Sequence, residues 1–283
     1  MIGLALLNTK SYPTASVKLT IKNKAGKEIA KDELSWKLKD KVGQTPLHLA
    51  VESNDKAKVQ KLISADIDIN IQDEENRTPL YKAAKFDRAE IAKLLIENGA
   101  DPNIPNKENR TPLHEAVHLG HIEIVKSLLQ AGAKANMLDK CNFTPLHETI
   151  ISDRNEIAEL LLQADADPNI QDLDGRTALH KAANLGRTKI VELLIKAKAD
   201  PNVEDKDKRT PLYDTIMLDL PKITALLLRD GANPNIQDRE GKTVLHWSII
   251  HDRTEITQLL LKSGANPNIQ DKYNMTPLDY SKK

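Results

Sequence analysis

The chain has a single cysteine, Cys141, among 283 residues. No disulfide can form within it, its stability must come from packing, and it suits a reducing compartment. Aromatic residues make up only 3% of the sequence, although 40% is apolar. That ratio excludes a thick core built on large rings and suits thin layers of Leu, Ile and Ala. Neither charge sign is in excess, since 41 Lys and Arg balance 41 Asp and Glu. Bulk attraction to nucleic acid or to an anionic membrane is therefore not indicated. Long apolar runs are also missing. Ile2 to Leu7 is short and lacks a preceding basic region, so no secretory signal is expected, and nothing approaches the ~20 residues of a membrane span. Nor is there a glycine loop to cradle phosphate, a cysteine pair for zinc or a G-x-S-x-G nucleophile turn. Enzymatic function has no positive support, and no cofactor is expected.

What the chain does have is a repeat. Thr45-Pro46-Leu47-His48 returns every 33 residues, with threonines at Thr78, Thr111, Thr144, Thr177, Thr210, Thr243 and Thr276 and no insertion between them. Such a period, longer than any secondary-structure period, marks a solenoid and overrides a domain count based on length. In the copy from Asn106 to Leu138, Thr111 is placed to cap a helix whose first position accepts Pro112. Leu113, Ala116 and Val117 share one face, and Gly120 ends the helix. Ile124, Val125, Leu128 and Leu129 then form the stripe of a second helix, which Gly132 stops. Such a pair buries its apolar face only against copies of itself.

This pattern of Asp, Gly, Thr-Pro-Leu-His, an interhelical Gly-His, Ile-Val, Leu-Leu, Gly-Ala and a late Asn resembles the ankyrin-repeat family across residues 40 to 283. The fifth copy carries it through Asp172, Gly175, Thr177, Leu179, His180, Ala182, Ala183, Gly186, Ile190, Val191, Leu194 and Asn202. The resemblance implies an all-α repeat fold, an ankyrin solenoid of stacked helix-turn-helix units with projecting β-turn fingers. Residues 1–39 lack the motif and read as an N-terminal extension or cap, with Val17, Leu19 and Ile21 alternating into a turn over Lys22 to Lys27. The chain from Asp271 onward reads as a partial capping repeat.

Departures from the pattern bear on stability. The turn glycine kept at Gly43, Gly175 and Gly241 becomes Asn76, Asn109, Asn142 and Asn274, and once Lys208; the stop of the second helix becomes Lys198 in the fifth copy. A lysine forced to positive φ costs on the order of 1 kcal/mol. The junction between the fifth and sixth copies is therefore expected to be the weakest.

Some motifs mislead. His114-Glu115-Ala116-Val117-His118 matches the H-E-x-x-H zinc signature, which gives a zinc metalloprotein as a remote alternative. His114, however, is the repeat histidine, and His147-Glu148 repeats the start with Ile151 where the second histidine should stand. By resemblance the repeat histidine hydrogen-bonds within and between repeats. Cys141 has no histidine placed to activate it.

The family resemblance implies a non-enzymatic scaffold or adaptor that binds a protein partner with its fingers and first helices, the concave surface. An effector delivered into another cell would work by the same binding. No nucleic acid partner, no membrane span and a cytoplasmic monomer are expected. Among the free positions, Met217, Leu218, Trp247, Ile250, Tyr273 and Met275 form an aromatic and methionine-rich group of the kind found at interface centres. Phe143 and Ile151 make a smaller cluster, and Phe86 stands alone. A covering of the main group by the C-terminal cap is the competing expectation. Arg77, Arg110, Arg176, Arg209 and Lys242 form a charged finger row beside Glu75, Glu108, Asp174, Asp207 and Glu240, which is expected to neutralise it, a basic groove for an acidic partner being the competing expectation.

Overall fold

The computed structural model describes residues 39, 40 and 42–281, together with four residues nearer the N-terminus. Those four form an antiparallel pair, β1 (Ile21–Lys22) and β2 (Glu28–Ile29), with Ile21 opposite Ile29. The turn read at Lys22 to Lys27 lies, apart from Lys22, outside the described residues. Apart from those four residues and Lys39, the cap expected over residues 1–39 also lies outside them.

Fifteen helices follow among the described residues. The first helices of successive repeats are α1 (Pro46–Glu52), α3 (Pro79–Lys85), α5 (Pro112–Leu119), α7 (Pro145–Ile151), α9 (Ala178–Asn184), α11 (Pro211–Met217), α13 (Val244–Ile250) and α15 (Pro277–Tyr280). The second helices are α2 (Lys56–Ser64), α4 (Ala89–Glu97), α6 (Ile122–Gln130), α8 (Asn155–Gln163), α10 (Thr188–Lys196), α12 (Pro221–Arg229) and α14 (Thr254–Lys262). Each first helix packs on the next first helix and each second helix on the next second helix. The expected ankyrin-like solenoid is the observed fold.

The motif accounts for this stacking residue by residue. Its threonine is the N-cap throughout, as at Thr111 with φ −84° and ψ 167°, and proline at the next position forgoes no helical hydrogen bond. The histidine closes the box from the other side: Thr111 N–H donates to His114 Nδ1 at 3.2 Å. An accepting Nδ1 leaves the proton on Nε2. That proton is donated across the repeat boundary, from His48 to the Arg77 carbonyl at 2.8 Å, His114 to Phe143 at 3.2 Å, His180 to Arg209 at 3.1 Å and His246 to Met275 at 3.2 Å. The histidine is thus both a helix cap and a staple to the following finger.

Leucine two places after each threonine forms the core line. Leu47, Leu80, Leu113, Leu146, Leu179, Leu212 and Leu245 are fully buried, each contributing about 1.5–3 kcal/mol of apolar burial. Leu278, at the same position on α15, is 60% exposed, with no further first helix among the described residues to cover it. The late asparagines run a second ladder: Asn103 accepts from Lys134 N–H at 2.8 Å and donates to the Gly132 carbonyl at 3.2 Å.

Fingers join one another through single backbone bonds, such as Lys140 N–H to Glu108 at 3.1 Å and Lys206 N–H to Asp174 at 3.0 Å. Lys198 and Lys208 have φ of 60° and 58°, so both lysines occupy the left-handed region. Replacing Lys198 and Lys208 by glycine is expected to raise stability by about 1 kcal/mol per site, read from urea midpoints. An unchanged midpoint would show that the left-handed lysines are unstrained. We further propose that the fifth-to-sixth junction opens first; hydrogen exchange finding its amides the best protected of the array would refute this.

Candidate functional site

Three rows of side chains line the face formed by the fingers and first helices, and their register comes from the threonine. The first is a row of turn aspartates five places before it. Asp238 illustrates its work: Oδ1 accepts from Glu240 N–H at 2.8 Å and Lys242 N–H at 3.0 Å, shaping the finger. The outer oxygen is left to face the helices. Asp73, Asp139, Asp172, Asp238 and Asp271 are all buried.

The second row, four places after the threonine, reads Leu49, Lys82, Glu115, Glu148, Lys181, Asp214, Trp247 and Tyr280. Each of these side chains from Lys82 onward finds a partner on the neighbouring rows. Lys181 pairs with Asp172 at 2.7 Å, Trp247 donates Nε1–H to Asp238 at 2.8 Å, and Tyr280 donates to Asp271 at 2.6 Å. Where the row is acidic, the cation comes from the third row, one place before the threonine. Arg110 pairs with Glu148, and also lies 3.8 Å from Glu115 and 3.7 Å from Asp139. Arg176 pairs with Asp214.

The finger cations are therefore neutralised, but mostly not by the acids one finger position away. Arg77 pairs with Asp73 at 2.8 Å. Only Arg209 with Asp207 at 3.9 Å, and Lys242 with Glu240, keep the partners expected from sequence. Glu75 and Glu108 instead pair with Lys107 at 3.5 Å and Lys140 at 3.3 Å, lysines of the next finger. The side-by-side reading failed because the arginines lean inward toward desolvated carboxylates, where an ion pair is stronger than at a wet edge.

Burial sets the protonation of this face. Desolvation holds His114, His147 and His180 at about 4, so they are neutral. Burial also pushes Asp214 up to about 6, against the pull of Arg176. Glu148 is shifted the other way: burial raises it, but the hydrogen bond and charge of Arg110, together with the His118 contact, outweigh burial and hold it below its ordinary range.

The zinc reading meets a direct geometric objection. His114 is buried with Nδ1 in the capping box and Nε2 on the Phe143 carbonyl, so no lone pair faces solvent. His118 is half exposed and lies 3.0 Å from Glu148. Among the described residues no group of three His, Cys, Asp or Glu side chains is arranged to hold a metal ion.

The apolar candidates divide. Leu218, Ile151 and Tyr273 are exposed, as their positions suggested. Met217, Ile250, Met275, Phe143 and Trp247 are half buried. Trp247 meets Tyr213 edge-on, with centroids 5.7 Å apart, and stacks on His251 at 5.9 Å. Lys242 Nζ lies 5.4 Å from the Trp247 centroid and 5.3 Å from that of Tyr273. Tyr280 of α15 rests against His246 at 6.1 Å. Phe143 stacks on His147 at 5.6 Å beneath Lys181. Tyr213 was missed by sequence because it occupies the scaffold position of the repeat histidine, and His251 because only apolar residues were sought in its column, eight places after the threonine. Leu119 and Leu185, also exposed, continue Phe86 and Leu218 in a row eight places after the threonine; reading that column at the 33-residue period would have found them.

A family model described as ankyrin repeats in three copies matches residues 10–106, 98–172, 164–238 and 218–282. Its first match begins inside the extension set apart by sequence. No curated protein matches the chain.

Proposed function

Because the chain belongs to the ankyrin-repeat family, whose repeats are protein-binding modules, we propose that it is a non-enzymatic scaffold or adaptor, working as a cytoplasmic monomer. It binds a protein partner on the concave face, with the centre of the contact at Trp247. The observation that carries this reading is the state of that ring. It is half buried, fixed by its Asp238 hydrogen bond and by two rings, and on the repeats before and after it Leu218 and Tyr273 stand exposed. A rigid aromatic anchor with exposed apolar groups on the adjoining repeats loses little entropy on binding. Met217, Ile250 and Met275 extend the surface, and Phe143 with Ile151 offers a smaller contact three repeats before Trp247.

No described helix is long and apolar enough to cross a membrane. The test is recovery of a partner by the intact chain, by Trp247→Ala and Met217→Ala, and by the exposed second-helix control Lys189→Ala. Loss from the first two variants, by at least about tenfold for Trp247→Ala, with retention by the control, is expected. Equal recovery by all four proteins would remove the assignment.

A further inference from the structure

Two of the third-row arginines follow one rule. Arg110 pairs with Glu148 and Arg176 with Asp214, each time with the second-row residue of the following repeat. Arg77, with Glu115 in that place, turns to Asp73 instead. Arg209 stands at the same position, but the second-row residue of its following repeat is Trp247. Its usual carboxylate has been replaced by a ring. The guanidinium instead lies 4.2 Å from the Tyr213 centroid. Its one ion-pair contact among the described residues is Asp207 at 3.9 Å, a carboxylate that Arg239 shares at 3.5 Å.

Tyr213 shows the same loss. Four repeats earlier, Tyr81 donates its hydroxyl to Glu115 at 2.9 Å, in the cluster completed by Arg110. Tyr213 meets Trp247 where Tyr81 meets Glu115, and its hydroxyl has no hydrogen-bond partner among the described residues. Lys208, exposed and without an ion pair among the described residues, lines the same narrow crevice as Arg209, Tyr213, Lys242 and Trp247. Lys242 is already committed to Glu240 and, at 3.8 Å, to Asp271. Asp238, the carboxylate lining the crevice, is held by Trp247 and by its own finger. The donors without a hydrogen-bonded carboxylate are therefore Arg209, Tyr213 and Lys208, beside a preformed aromatic wall.

We propose that the partner supplies the missing carboxylate. An Asp or Glu side chain of an acidic segment sits between the Arg209 guanidinium and the Tyr213 hydroxyl, and an adjoining apolar residue packs on Trp247. This rests on the concave-face reading and adds the charge of the partner to it. The internal Tyr81–Glu115–Arg110 cluster shows that this face already binds a carboxylate with the same donor types. A hydrogen bond from a guanidinium to a carboxylate is about twice as strong as one between neutral groups.

Short random peptides displayed on phage and selected on the full chain test this. The retained pool should be rich in Asp or Glu next to an apolar residue. Affinity should fall at least about tenfold in Arg209→Gln and a few-fold in Tyr213→Phe. Arg187→Gln, whose partner is Asp153, should bind as the parent does, and urea midpoints establish that each variant is folded. Peptides that need Trp247 but show no acidic bias, or that bind folded Arg209→Gln undiminished, overturn the carboxylate assignment and leave the concave-face reading standing. Peptides indifferent to Trp247→Ala overturn both. Displacement of acidic peptides by a single-stranded oligonucleotide would reassign Arg209 to phosphate and likewise overturn the proposal.

Discussion

Lowering the pH from 7 to 5 is expected to cost the folded chain about 5 kcal/mol, a large part of the stability of an ordinary domain. The cause is the buried capping histidine. His114, His147 and His180 are held at about 4 by desolvation, whereas an unfolded histidine titrates near 6.5. Between those values the unfolded chain binds a proton that the folded chain refuses. Each site then removes about 1.4 kcal/mol of stability per pH unit of acidification. The stability is whole above the unfolded value and is lost as pH falls toward the folded one. Asp214 acts in the opposite sense. Its folded value is raised to about 6, so the folded state gains protons below that point and recovers about 1.4 kcal/mol by pH 5. Three losses outweigh that one gain, and lowered His48 and His246 add to them.

Urea unfolding at both pH values measures the total. His147→Gln isolates the cause, because glutamine can still make the reciprocal capping bond but does not titrate, and His147 Nε2 has no partner to lose. The pH slope of that variant should be shallower by about one proton. An unchanged slope would show that the capping histidines do not govern acid stability.

Arg110→Ala should cost about 3–5 kcal/mol, the range for removing one member of a buried charge cluster. Arg110 is the cation shared by Glu115, Asp139 and Glu148 at the third and fourth repeats, with side chains 12%, 9% and 6% exposed. Without it three carboxylates face one another away from water. Burial and mutual repulsion then raise their proton affinity, which gives the variant a signature of its own. Its deficit relative to the parent should shrink between pH 7 and pH 5 as the orphaned carboxylates take up protons. A deficit that stays constant with pH would mean that Arg110 acts only by packing. Thermal or urea unfolding of both proteins at the two pH values decides between these outcomes.

The repeat register was legible because threonine, proline, leucine and histidine each meet a local demand. Thr111 caps, Pro112 sits where no hydrogen bond is lost, Leu113 is buried and His114 closes the box. None of these roles depends on a distant residue, apart from the histidine's second nitrogen. The candidate surface was legible only in part. Leu218 and Tyr273 were rightly placed in the open, but Trp247 was read as facing solvent when it is half buried. Of its partners, Asp238 and Tyr213 lie at scaffold positions, and His251 in the column eight places after the threonine. Arg110 and Glu108 are two residues apart and look like a pair, yet Arg110 reaches Glu148 and Glu108 reaches Lys140.

The sequence by itself determined the family, the helix pairs, the caps and the register that separates buried columns from free ones, because 33-residue periodicity and local capping chemistry are properties of neighbouring residues. Only the tertiary structure decided which charges are satisfied and which are left over. Stacking brings a residue beside one about 38 positions away, as with Arg110 and Glu148 or Arg176 and Asp214, and desolvation there sets both pairing and protonation. Whether Arg209 has a carboxylate of its own is a fact about the next repeat.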